Sequence, residues 1–102
     1  MSTSRCRSAE FVPFLKRLDG IDPKLADQLR RAATSTSLNI SEANRRSGKD
    51  RRNRFRCALG SAAESASCLE VGFALGYFEE LAIASTLELV DRIRAMTYRL
   101  AN

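Results

Sequence analysis

The sequence predicts an all-α protein, an up-and-down four-helix bundle with a short first helix, assembling as a homo-oligomer. Three observations carry the fold class. Apolar residues recur at steps of three and four along four stretches of the chain. Ala, Ser and Leu dominate the uncharged residues, which favours closely packed helices over a wide β core. Two Pro and five Gly are too few to punctuate many strands, and no stretch reads as a strand. A chain of 102 residues is one domain and can bury roughly two-thirds of its unfolded surface in one core.

Residues 1–8 are polar and are expected to form a flexible tail, leaving 9–102 as the domain. Phe11, Phe14, Leu15 and Leu18 follow helical spacing, so a first helix is expected over about 10–18. Pro13 has to lie in its first turn, and Asp19-Gly20 is expected to stop it. Asp22-Pro23 opens the second helix: the aspartate can cap free N–H groups and proline suits the first helical position. That helix is expected over 23–46, with Leu25, Leu29, Ala32, Thr36, Ile40 and Ala43 as its inward stripe. Ser47-Gly48 breaks the pattern. A third helix then spans 49–76, with Phe55, Leu59, Ala62, Ala66, Leu69 and Phe73 turned inward. A fourth spans 78–101, with a broad apolar arc from Ala82, Ile83 and Leu87 through Val90, Ile93, Met96, Thr97 and Leu100, and Glu88, Arg92 and Arg99 on its wet side.

Short connections make neighbouring helices antiparallel. With the turn centred between Ser47 and Gly48, Thr36 faces Leu59, Ala32 faces Ala63, and Arg31 faces Glu64. Small residues thus meet small residues, and the Arg31–Glu64 pair is expected as an ion pair that sets the register.

The net charge is +5 and the pI about 9.6, which suits an anionic partner without choosing one. There is no His, and the three Cys form no C-x-x-C pair, so no metal or other cofactor is expected. Cys57 and Cys68 lie eleven residues apart on one helix, about 16 Å, too far for a disulfide. Unpaired thiols suggest a reducing, cytoplasmic location. Nothing at the N-terminus reads as a secretory signal, Cys6 sitting in its polar tail, and no run approaches the ~20 apolar residues that cross a bilayer.

Three constellations bear on function. Arg45, Arg46, Lys49, Arg51, Arg52, Arg54 and Arg56 crowd the central turn, with Asp50 the only acid among them. Six of the seven are Arg, which binds phosphate bidentately, so a sequence-independent contact to RNA or DNA backbone is expected. A solvated turn, with Glu42 pairing locally to Arg45 and Arg46, is the plainer reading. The nearby Phe55 points inward, so single-strand recognition by stacking finds no platform at this turn. Second, Cys57, Cys68, Val71 and Leu75 line the third helix opposite its core stripe, and Leu38 points away from the stripe of the second; this surplus apolar face is expected to pack against further copies of the chain. Third, Glu64 stands in a run of small residues, with no second carboxylate, His or activated nucleophile spaced beside it, and an enzyme is not expected. Gly72-x-x-x-Gly76 reads as a site of close packing or an early helix end.

The central hairpin resembles a family of four-helix-bundle proteins encoded by intervening sequences inside bacterial 23S ribosomal RNA genes. The matching elements are Gln28-Leu29-Arg30-Arg31-Ala32-Ala33; Ser37, Asn39, Ile40 and Glu42 against an S-x-x-N-I-x-E core, the serine offset by one position; Arg45-Arg46; Phe55-Arg56; Gly60-Ser61 with Glu64; and Leu75-Gly76-Tyr77. They cover about half of the chain. The resemblance implies an up-down bundle, often a pentameric ring. The chain is also similar to the accessory variability protein of diversity-generating retroelements, which implies a basic barrel that binds nucleic acid and associates with a reverse transcriptase. An acidic protein partner, or self-assembly without nucleic acid, is the alternative. The chain departs from the family in its short first helix and in Asn44, where Gly is common.

Overall fold

The computed structural model describes residues 11–102; the expected tail over 1–8, the first residues of the expected first helix and Cys6 lie outside the described residues. Four helices follow in order: α1, Val12–Ile21; α2, Pro23–Asn44; α3, Gly48–Ala74; and α4, Glu80–Ala101. No strand occurs among the described residues.

Local chemistry sets most of the boundaries. Pro13 sits in the first turn of α1. That helix runs on through Asp19-Gly20, past its expected end. Gly20 keeps a negative φ, so it does not take the left-handed geometry of a stop. Asp19 is instead drawn across to α2, where Arg30 Nη2 donates to both of its oxygens at 3.0 and 3.1 Å. Asp22 caps α2 as expected: its Oδ1 accepts the Leu25 N–H at 3.1 Å, with Pro23 following in the first turn. α2 ends at Asn44, two residues early, in a tight turn through Arg45 and Arg46. Gly48 then takes φ +59, a conformation open to glycine, where α3 begins. At the other end of α3, Gly76 takes φ +80; its N–H bonds Phe73 O at 3.0 Å and the Tyr77 N–H bonds Gly72 O at 2.8 Å. This is a Schellman closure.

α3 is the middle helix, packed by α2 on one side and α4 on the other, while α1 lies on α2. The molecule measures 43 × 24 × 20 Å. Ten residues of α1 span only about 15 Å, so α1 covers the end away from the basic turn and not the whole length. The main core draws on all four helices, including Phe14, Leu18, Leu25, Leu29, Leu69 and Ile83. A second, small cluster of Ala43, Phe55 and Ala101 closes the turn end.

The expected stripes are buried on α1 and α2, with Ile40 and Leu15 half-buried. On α3 the expected stripe holds from Phe55 to Leu69, with Leu59 half-buried, and stops there, for Phe73 is 44% exposed. At this end the core aromatic is instead Phe78, which lies over the bare Gly72 with its ring edge-on to Phe14, centroids 4.9 Å apart. On α4, Ala82 and Leu100 are exposed, while Thr86 and Thr97 join the core. Thr36 and Ser65 reach buried sites by donating to the carbonyls of Ala32 and Ser61, at 2.8 and 3.1 Å.

Candidate nucleic-acid interface

A polar bridge crosses the α2–α3 seam and is backed by a contact within α2. Ser61 Oγ donates to Ser35 Oγ at 2.8 Å, and Asn39 Nδ2 donates to Ser35 O at 2.9 Å and to Ser35 Oγ at 3.1 Å. Ser35 opposite Ser61 is within one residue of the expected register. That register does not deliver the Arg31–Glu64 pair. Arg31 reaches Asp27 instead, at 2.8 Å one helical turn earlier, and Glu64 is exposed without an ion pair among the described residues. A partner on the same helix costs less side-chain order than one across a seam, and it wins.

At the turn, the seven expected cations meet two carboxylates, Glu42 and Asp50, leaving an excess of five positive charges. The seven do not form one uniform cap. Arg46 is held between Asp50 at 2.7 Å and Glu42 at 3.2 Å. Hydrogen bonds to Asp50 and then Glu42 hold its guanidinium still more firmly protonated. Arg45 shares Glu42 at 3.7 Å. Arg51 lies over the Phe55 ring, 5.0 Å from its centroid. Lys49, Arg52 and Arg54 have no ion-pair partner among the described residues. Successive positions on α3 turn by about 100°, which sends Arg54 and Arg56 to opposite sides.

Arg54 faces a cleft of about 620 Å³ along α2, shared with Arg30, Arg31, Ser35, Leu38 and Asn39. Arg56 faces a cleft of about 1120 Å³ between α3 and α4. There it meets Asp91, Arg94, Tyr98 and Arg99 over a floor that includes Gly60 and Ala63. These α4 residues are absent from the sequence-based site. Asp91, Arg94, Ala95 and Tyr98 follow i, i+3, i+4, i+7 spacing, so one shared face was readable. That this face lies beside Arg56 was not, since it depends on how α4 packs on α3. Phe55 is 1% exposed, as its stripe requires, but Tyr98 is 60% exposed.

The surplus apolar face divides. Leu38, Cys57, Val71 and Leu75 are exposed. Cys68 is a correction: it is buried in the core with Leu25 and Leu29. Eleven residues bring a side chain back to within about 20° of the same face, so the two thiols differ by position along α3: Cys68 lies in the main core cluster with Leu18 of α1 and Leu25 and Leu29 of α2, and Cys57 lies towards the turn end. Burial, and next the charge of Glu64, push its thiol pKa up. Among the described residues, no three His, Cys, Asp or Glu gather to hold a metal, and no helix is long and apolar enough to cross a membrane.

Known proteins share this architecture. The family model described as 23S rRNA-intervening sequence protein matches residues 9–99. A crystal structure of a protein of unknown function, from the S23 ribosomal protein family of Bacteroides thetaiotaomicron, superposes with a TM-score of 0.87 at 24% identity, over 97% of this chain and 94% of that one. Likeness at that identity speaks for the fold. No curated protein matches the sequence.

Proposed function

The chain belongs to the 23S rRNA-intervening sequence protein family, and from that premise we propose a non-enzymatic, self-associating helical bundle that binds nucleic-acid backbone through its arginine-rich turn. One observation carries the reading: five uncompensated positive charges sit at one end of the molecule, with Lys49, Arg52 and Arg54 unengaged by any carboxylate among the described residues. Such cations meet phosphates without first breaking an internal pair. The non-enzymatic part rests on the sequence, which has no His and sets no nucleophile beside a base. Self-association draws on Leu38, Val71 and Leu75, which are 60, 45 and 57% exposed.

An anisotropy titration with a labelled RNA and a labelled DNA, at several salt concentrations, tests the binding. Affinity is expected to fall steeply with salt, and a Lys49→Ala/Arg52→Ala/Arg54→Ala variant to weaken it and flatten the slope by roughly 0.7–0.9 per lost phosphate contact. Salt-independent binding, or full binding by the triple variant, overturns the reading. Light scattering checks the assembly, a mass of 11.3 kDa at micromolar concentration counting against it. The second reading is a protein-interaction scaffold with an acidic partner, a reverse transcriptase among the candidates. It is favoured by the same exposed leucines, and a partner retained from nuclease-treated extract supports it.

A further inference from the structure

We infer that the cleft between α3 and α4 is a binding site for single-stranded nucleic acid, in which Tyr98 stacks on an unpaired base and Arg56, Arg94 and Arg99 hold the flanking phosphates. The inference rests on the nucleic-acid reading above and names a second site for it, on a different face from Lys49 and Arg52 and with a different ligand preference.

Three features of the cleft point there. The first is its charge. Two helices contribute three guanidiniums against one carboxylate, Asp91. The Arg94–Asp91 pair is long, at 3.8 Å, and both side chains are well exposed, so a phosphate displaces it at little cost. Arg56 holds only the Asn53 side chain, at 3.3 Å, and Arg99 has no side-chain partner among the described residues. The second is Tyr98. The residue is 60% exposed, lines the cleft and lies outside both core clusters, so its ring is not taken up by the fold. The third is the floor. Gly60 lies in the middle of α3, where glycine is the poorest helix former after proline. It has no positive φ, and a Cβ added to it would meet nothing within 4 Å. Neither conformation nor internal packing asks for glycine there. Its effect, with Ala63 and Ala95, is to keep the floor flat and open beside the tyrosine.

Cations beside a solvent-facing ring on a bare floor match a strand whose bases are free to stack. A duplex offers phosphates but hides its base faces, and an acidic peptide matches the arginines but leaves the ring without a stacking partner.

The full chain is titrated by anisotropy against three labelled ligands: oligothymidine, an abasic strand of equal length, and a blunt duplex. Oligothymidine is expected to bind tightest. Tyr98→Ala is expected to weaken it about five- to hundredfold, Tyr98→Phe to restore it, and neither to change binding of the abasic strand. Gly60→Leu, which fills the floor, is expected to weaken oligothymidine similarly with no loss of melting temperature. Equal affinity for oligothymidine and the abasic strand, or equal affinity for the duplex, overturns the stacking site while the turn's backbone contact stands. Full binding by Tyr98→Ala does the same. Displacement of oligothymidine by polyglutamate at equal concentration reassigns the cleft to an acidic protein and overturns it. A change in mass with Gly60→Leu, with binding intact, makes the cleft a contact between copies and overturns it. Binding of none of the three ligands sinks this inference and the nucleic-acid reading together.

Discussion

The two ends of the bundle are built on opposite principles. At the end where α1 meets the α3–α4 corner, polar groups serve the fold. Tyr77 donates its hydroxyl to Asp22 Oδ2 at 3.1 Å, and its carbonyl accepts from Arg17 Nε at 2.6 Å. Asp22 at the same time caps α2, and Phe78 fills the space above Gly72. One tyrosine thus ties three helices together. At the turn end, two carboxylates serve seven cations, and a single large side chain, Phe55, is buried between Ala43 and Ala101. The comparison separates groups that stabilise the molecule from groups left over for a partner. The two binding surfaces proposed above, the turn end and the adjoining α3–α4 cleft, lie where cations and a tyrosine ring are not engaged by carboxylates or by the core clusters among the described residues.

Substitutions can break or sharpen this contrast. The largest effect is expected from Phe55→Ala, since among the described residues no other bulky side chain belongs to the turn-end cluster. A cost of about 3–5 kcal/mol by chemical denaturation is expected, a large share of the ~5–15 kcal/mol typical of a domain. A cost below that of the next variant would mean the turn end is not held by this ring. Gly72→Ala comes second. Its new Cβ would lie 2.5 Å from Phe78 Cε2, so the Phe78–Phe14 pair has to shift, at about 1–3 kcal/mol. Unchanged stability would show that the corner is loosely packed. The smallest effect is expected from Tyr77→Phe, and its pH dependence is the sharper readout. The hydrogen bond to Asp22, then burial, raise the Tyr77 pKa above its ordinary value near 10. A raised pKa favours the protonated phenol in the folded state, so the contribution is complete below about pH 10 and is lost as pH rises through the folded value. The difference in melting temperature between wild type and Tyr77→Phe is therefore expected at neutral pH and gone in strong alkali. A difference that persists there would assign it to packing and not to the hydroxyl.

Much of the fold was legible because its signals are short-ranged. The Asp22-Pro23 start, the stripe through Leu25, Leu29 and Ala32, and the Gly76 stop each need only a turn or two of neighbouring chain. The misreadings share a cause. Gly20 has the residue type of a stop but stays helical, with no left-handed φ, while Asp19 beside it pairs with Arg30 eleven residues away. The register predicts a partner for Arg31 across the hairpin, yet Asp27 stands closer along its own helix. Cys57 and Cys68 share a helical face by spacing, yet only Cys68 is buried. Tyr98 carries no signal of a site in the sequence, because its place beside Arg56, some forty positions earlier, depends on how α4 packs on α3.

Helical period and caps were determined by the sequence itself, since each arises from contacts within a few residues and so from local order in the chain; net charge follows from composition alone. What the tertiary structure decided is direction: which flank of α3 meets α2, which meets α4, and how far along them α1 reaches. Those choices come from side-chain volumes meeting across seams, where one bare position, as at Gly72, lies under a phenylalanine. They distribute the arginines of one crowded turn among separate faces, and bring a tyrosine from the last helix to stand beside one of them.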